Sequence, residues 1–182
     1  EVAALVIVLV LLKAGAEEVY AQKLMVFSCR AFPSMKPNVN PVLPGMLWSN
    51  TVTRGALGDA GIVWGETDLP QFEGKDGGVR FEAIDFADRQ EEYVVPTFKL
   101  EPLKLVESWQ VSWHADLGRT SPNETGGVDL GGEEGRHFVA WSPLIAENTE
   151  RDVNYWFVVR DGRGGQSWIQ RKAHWKPLLP PP

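Results

Sequence analysis

The stretch from Asp152 to Trp168 limits the possible folds of this chain more than any other stretch. It contains an aromatic and β-branched run at Tyr155–Val159 and then a glycine-rich break. A second run follows the break and begins with Ser167-Trp168-Ile169. Two β-rich runs around such a break predict a β-hairpin. Asp161 is predicted to accept backbone N–H groups in its turn. The predicted turn and structural residues are Asp161, Gly162, Gly164 and Gly165.

Short strands and turn signals recur through the rest of the chain, and helical periodicity is almost absent. The alternation is clearest from Leu105 to His114, whereas Pro96 places the segment Tyr93–Leu100 at a sheet edge. This pattern predicts an all-β fold, an antiparallel β-sandwich of about seven strands over residues 46–175. Further strands are predicted at Ile62–Trp64, Val79–Phe86 and Phe138–Trp141, and a long surface loop at Gly118–Gly135.

The N-terminal segment, residues 1–28, begins with the uninterrupted apolar run Val2–Leu12, which Lys13 ends. A membrane-spanning helix needs about 20 apolar residues, so the run fits the apolar core of a secretory signal better. Val19-Tyr20-Ala21 would then supply a small-residue cleavage site. We predict an apolar helical segment that serves as a signal or as a retained anchor. A buried core helix is the alternative.

Cys29 is the single cysteine, which excludes an internal disulfide framework. Its setting, Val26-Phe27-Ser28-Cys29, resembles the lipid-attachment site of bacterial lipoproteins, so Cys29 is a lipidation candidate. A buried or idle thiol is the alternative. Residues 29–45 hold four prolines and are predicted to be an extended linker, and residues 176–182 form a proline-rich tail.

Charge and tryptophan content narrow the possible partners. A net charge of -6 argues against nucleic acid, because phosphate binding needs a basic surface. Eight tryptophans are many for 182 residues and indicate core or interface packing, with sugar stacking as the alternative. The candidates for an interface or a sugar-stacking surface are Trp48, Trp64, Trp168 and Trp175.

The block from Trp109 to Trp168 resembles bacterial immunoglobulin-like domains of the polycystic-kidney-disease and cadherin-like kind. The resemblance rests on Val111-Ser112-Trp113, Trp141-Ser142-Pro143 and the final strand leading into Asp161-x-x-Gly164-Gly165. The chain is also similar to bacterial envelope lipoproteins that carry a cysteine and then an Asn-x-Asn-Pro step, here Asn38-Val39-Asn40-Pro41. These resemblances imply an exported adhesion or assembly module in the bacterial cell envelope (periplasm or outer surface). They imply attachment to a membrane through the N-terminal segment or a lipid on Cys29, and no enzymatic activity.

Catalytic and metal chemistry find little support in the residue pattern. His114, His137 and His174 do not lie at metal-ligand spacing, and a copper site would need Cys29 among the strands. Acidic residues cluster in predicted loops without a calcium-binding loop pattern. We therefore expect no catalytic residue, no metal ligand and no cofactor. The leading hypothesis is a structural subunit that contacts other proteins; the alternatives are a carbohydrate-binding module and a copper or hydrolytic enzyme.

Overall fold

A computed structural model shows that the chain is built from β-strands. It describes residues 3–28, 30–50, 57–73, 78–127, 135–143 and 149–177. Within these ranges there is no α-helix, and two short 3₁₀ turns lie at Gly58–Ala60 and Ala87–Arg89. The strands are β1 (Ala3–Ala14), β2 (Glu17–Ser28), β3 (Met46–Ser49), β4 (Ile62–Val63), β5 (Gln71–Glu73), β6 (Val79–Ala83), β7 (Glu92–Pro96), β8 (Pro102–Val106), β9 (Gln110–Ala115), β10 (Arg119–Ser121), β11 (Glu124–Thr125), β12 (Phe138–Ser142), β13 (Arg151–Arg160) and β14 (Gln166–Lys176).

Two five-stranded sheets form the body of the protein. One has the strand order β10-β12-β6-β3-β4, and the other has the order β11-β9-β13-β14-β5. β13 is the central strand of the second sheet, and it pairs antiparallel with both β9 and β14. The pairing of β5 with the end of β14 is parallel, so the expectation of a fully antiparallel sandwich is wrong at this edge.

The core lies between the two sheets and is mostly aromatic. On β13, Val153, Tyr155, Phe157 and Val159 alternate with outward-facing residues and are completely buried. Phe81 on β6 of the opposite sheet lies 5.0 Å from the Tyr155 ring and 5.7 Å from the Phe157 ring, measured between centroids. Burial of each such side chain contributes about 1.5–3 kcal/mol. The predicted β-sandwich architecture is therefore confirmed at the level of two facing sheets.

The C-terminal hairpin forms as predicted, with ten cross-strand pairs between β13 and β14. The number of strands was predicted too low. Within the described residues the two sheets hold ten strands rather than about seven. The strands that were not predicted are short: β3 has four residues, and β5, β10 and β11 have two or three residues each. Strands of this length contain too few positions for alternation to be visible in the sequence. Two of them, β10 and β11, lie within the predicted surface loop.

The predicted strand Leu105–His114 is in fact two strands of different sheets. β8 ends at Val106 and pairs with β7 in a separate two-stranded sheet, whereas β9 begins at Gln110. The break falls at Glu107, whose buried carboxylate accepts hydrogen bonds from the Trp109 indole and the Glu91 backbone N–H. The strand stops here because the buried carboxylate needs these hydrogen bonds, and an unpaired buried carboxylate costs much free energy.

The N-terminal helix was predicted wrongly, because residues 3–28 form a β-hairpin. β1 and β2 pair over twelve residues each, and Gly15, with φ of 64°, occupies the left-handed conformation of the tight turn. The run is rich in β-branched Val and Ile, which favour strands. A short, uniformly apolar run has no period, so hydrophobicity alone does not separate a helix from a strand.

Candidate functional site

The N-terminal hairpin exposes apolar side chains on both of its faces. Successive residues of a strand point to opposite faces, so Ile7, Leu9 and Leu11 share one face while Val10 and Leu12 share the other. Leu9 is 75% exposed and Leu12 is 65% exposed. In the described part of the chain, β1 and β2 pair only with each other. A solitary two-stranded ribbon is marginally stable in water, and large exposed apolar surfaces mark contact sites.

A few polar contacts fix the hairpin at its tip and against the sandwich. Lys13 and Glu18 form an ion pair of 2.5 Å beside the turn, and the Tyr20 hydroxyl donates to Glu18. Both contacts lower the pKa of Glu18. In the middle of the hairpin, Lys23, which lies opposite Val8, donates a 2.7 Å hydrogen bond to the backbone carbonyl of Gly164 in the β13–β14 turn. The middle of β2 thus contacts the predicted Asp161 turn.

The β13–β14 turn is organised by the buried Asp161 carboxylate. One of its oxygens accepts the backbone N–H groups of Arg163 at 2.7 Å and of Gly165 at 2.9 Å. A Cβ on Gly165 would lie 2.0 Å from the other oxygen, so only glycine fits there. Gly162 and Gly164 have φ of 74° and 102°, in the region that favours glycine. All four predicted turn residues therefore have a structural role.

The extended linker docks on the same turn. The Asn38 side-chain amide donates a 2.6 Å hydrogen bond to Asp161, and the Ser167 hydroxyl donates to the Pro41 carbonyl. Residues 36–45 form neither helix nor strand, in keeping with their prolines. Cys29 lies outside the described residues, and so does the tail from residue 178 onward.

An ion-pair cluster lies beside the docked linker. Arg163 donates to the buried Glu107 carboxylate at 2.7 Å, and its guanidinium also lies 3.4 Å from Glu91. The guanidinium stacks on the Tyr93 ring, 4.3 Å from its centroid. Each charged group has a partner, so the cluster holds the β7–β8 sheet to the β13–β14 turn.

The four candidate tryptophans have very different environments. Trp64 and Trp175 are 1% and 2% exposed and belong to the core, so neither ring is available to a ligand. Trp48 is half-buried and packs on Phe72 at a centroid distance of 5.2 Å. Trp168 is 64% exposed. A row of exposed rings formed by all four is therefore excluded.

Trp168 belongs to an exposed sheet face that the sequence did not single out. It lies opposite Val158, and the next outward residue of β14, Gln170, lies opposite Trp156. His114 on β9 lies on the other side of Trp156. We name this surface the Trp168 face; it comprises His114, Trp156, Val158, Gln166, Trp168 and Gln170. Successive side chains of β13 point to opposite faces of the sheet. This alternation is the sequence signal from which an outward-facing Trp156 could have been predicted.

The three histidines lie in different environments. His114 is exposed on the Trp168 face, and His137 is buried with its Nδ1 2.8 Å from the Thr125 hydroxyl. His174 lies between Asp152 and Glu150, 2.9 Å and 2.7 Å from their carboxylates. Among the described residues, no group of three His, Cys, Asp or Glu side chains is placed to hold a metal ion.

The imidazoles of His137 and His174 should titrate far apart. Burial disfavours the charged imidazolium and lowers the pKa of His137 to about 4, whereas the carboxylates of Asp152 and Glu150 raise the pKa of His174 above 6.5. Because the unfolded chain binds a proton at position 137 first, stability should fall as the pH drops from about 6.5 to 4. The contribution of His174 has the opposite sign and is lost as the pH rises through its raised pKa.

We expect NMR titration of the imidazole protons to show these two midpoints on either side of 6.5. Asp152→Asn should lower the midpoint of His174 and leave that of His137 in place. Coinciding midpoints would contradict the assigned environments.

No helix within the described ranges has the length and apolar character needed to cross a membrane. Comparison with protein-family models, curated proteins and solved structures gives no match for this chain. The class that the coordinates define is thus an all-β, sandwich-like protein with an apolar N-terminal hairpin.

Proposed function

We propose that this chain is a non-catalytic immunoglobulin-like module of the bacterial cell envelope. It acts as an accessory subunit of a larger membrane-associated assembly, and it works by contact with other protein subunits. The observation that carries the proposal is the hairpin of β1 and β2, which presents apolar side chains on both faces. A hydrogen bond from Lys23, in the middle of β2, attaches this hairpin to the β13–β14 turn.

The unpaired edges of the hairpin favour a protein as its partner. The outer edges of β1 and β2 carry backbone N–H and C=O groups that no other described strand pairs with. Hydrocarbon offers these groups no hydrogen bonds, whereas a strand of another chain pairs with them directly. Association with the membrane would then come through the assembly.

The proposal is tested by placing charges on one face of the hairpin. We expect the double variant Leu9→Glu and Leu11→Glu to leave the assembly, because two carboxylates would have to be buried in the contact without partners. The wild-type chain, purified from its native envelope in mild detergent, should keep residues 1–28 and bring stoichiometric partner chains. Native mass spectrometry measures both the intact mass and the partners.

A matched control uses an exposed apolar position on the sandwich. Val63 on β4 is 62% exposed, and Val63→Glu should leave the assembly intact. The midpoint of thermal unfolding of the sandwich should be the same in both variants. A double variant that keeps all its partners would contradict the proposal. A mature mass beginning at a diacylglyceryl-modified Cys29 would also contradict it, because the hairpin would then be absent.

A further inference from the structure

The Trp168 face is an open platform on the outside of the second sheet. Its opposite side is sealed, because Phe157 and Val159 of β13 point into the core. On the outside, Trp168 is largely exposed, Gln170 is exposed and Trp156 is half-buried. The sheet beneath them is held by paired strands on both sides of β13, so the platform is rigid.

The two tryptophans of this face lie close enough to act together. Trp156 pairs with Gln170 and Val158 pairs with Trp168, so the two tryptophans are diagonal neighbours on one face. Diagonal neighbours on adjacent strands are about 7–8 Å apart, within reach of aromatic side chains. They therefore offer two indole surfaces to a ligand that crosses both strands.

Amide side chains lie on both sides of Trp168, because Gln166 and Gln170 flank it along β14. Arg160, Lys172 and His114 lie next to the two indoles on the same face. Each amide supplies two N–H donors and a carbonyl acceptor. These groups suit a ligand whose hydroxyls both donate and accept hydrogen bonds.

The charges at the rim of the face are balanced. At one end Arg160 donates to the Ser112 hydroxyl, which in turn donates to Glu124. At the other end Lys172 lies 3.8 Å from the Asp152 carboxylate. The chain as a whole has a net charge of -6, whereas the two cations of this face each have a partner: Arg160 donates to the Ser112 hydroxyl, and Lys172 lies near Asp152. Such a surface complements a neutral ligand rather than an anionic one.

We propose that the Trp168 face binds a neutral glycan, a chain of hexose or N-acetylhexosamine units. A sugar ring has a face of C–H groups, which packs on an indole, and a rim of hydroxyls, which reaches amides beside the ring. Trp156 and Trp168 would stack successive units, and Gln166 and Gln170 would hydrogen-bond to their hydroxyls. This site is independent of the hairpin and goes beyond the proposed assembly role.

Tryptophans are also common at protein contacts, so the amides beside Trp168 carry the choice of a glycan over a protein partner. Gln166 and Gln170 offer donors and acceptors that match the hydroxyls of a sugar. Nucleic acid would require a surplus of cations, and the paired charges of the rim provide none.

The test measures binding of the full-length protein, in mild detergent, to four defined glycans. Insoluble cellulose and chitin are used in depletion assays, and cellohexaose and chitohexaose in titrations of tryptophan fluorescence. We expect at least one probe to bind, with Trp168→Ala weakening binding about tenfold or more and Gln170→Ala by a smaller factor. Both residues are exposed, so both variants should retain the wild-type unfolding midpoint.

Phe98 provides the matched control, since it is a fully exposed aromatic side chain between β7 and β8 and lies outside the Trp168 face. Phe98→Ala should bind as the wild type does. The proposal is overturned if none of the four probes binds, if Trp168→Ala binds with full affinity, or if Phe98→Ala loses as much binding as Trp168→Ala. A photo-crosslinker at position 170 that captures a protein instead of glycan also overturns it. The hairpin variant Leu9→Glu and Leu11→Glu should retain glycan binding, which separates this test from that of the assembly role.

Discussion

Trp64→Ala should lower the free energy of unfolding by about 4 kcal/mol, the cost of removing a large aromatic side chain from a core. Trp64 is 1% exposed, and its ring centroid lies between 5.3 and 6.1 Å from those of Phe72, Phe81, Tyr155 and Phe157. Its indole N–H has no hydrogen-bond partner among the described residues, so the loss is one of packing. Trp64 joins side chains of both sheets, and its removal would leave a cavity where they meet.

Trp168→Ala is the control for this prediction. It removes the same side chain from an exposed position, where substitutions usually change stability by less than about 0.5 kcal/mol. Chemical denaturation with urea, followed by circular dichroism, measures both variants. Equal losses of stability would show that Trp64 is not part of the core as described.

Glu107→Ala should cost about 3 kcal/mol of unfolding free energy, because removing one partner of a buried ion pair leaves the other uncompensated. The Glu107 side chain is 1% exposed, and Arg163, with 18% exposure, would keep Glu91, at the longer distance of 3.4 Å, as its carboxylate partner. The Trp109 indole N–H and the Glu91 backbone N–H would also lose their acceptor. Glu107→Gln should cost less, because the amide oxygen still accepts from the two N–H groups.

Glu92→Ala is the matched control for Glu107→Ala. Glu92 is an exposed carboxylate at the start of β7, and its removal should change stability by less than about 0.5 kcal/mol. The denaturation midpoints in urea give the comparison. A cost below 1 kcal/mol for Glu107→Ala would contradict the view that this cluster holds the β7–β8 sheet in place.

The parts of the fold that the sequence predicted correctly are those with strong local patterns. β13 and β14 have ten or eleven residues with regular alternation around a glycine-rich turn, and they form as expected. The end of β8 was missed because the strand stops at Glu107, whose buried carboxylate binds Arg163. Arg163 is 56 residues away from Glu107 along the chain, so no local pattern shows this contact. The N-terminal hairpin was missed because an unbroken apolar run carries no period.

Of the candidate site, the sequence predicted the turn and part of the aromatic surface. Asp161 and its glycines are local features, and residue type alone indicated their role. The exposure of each tryptophan is decided by tertiary packing. Trp64 directly follows the two-residue strand β4, where no alternation distinguishes inside from outside, and the structure places it in the core.

The separation of the hairpin from the core has a consequence for the order of events in the cell. Among the described residues the core begins at Leu43, and no side chain of β1 or β2 contributes to it. The sandwich can therefore complete its folding before the hairpin meets a partner. Joining the assembly would then be a later, concentration-dependent step, and an unassembled subunit would be folded yet still carry its exposed ribbon, the feature by which quality control could recognise it.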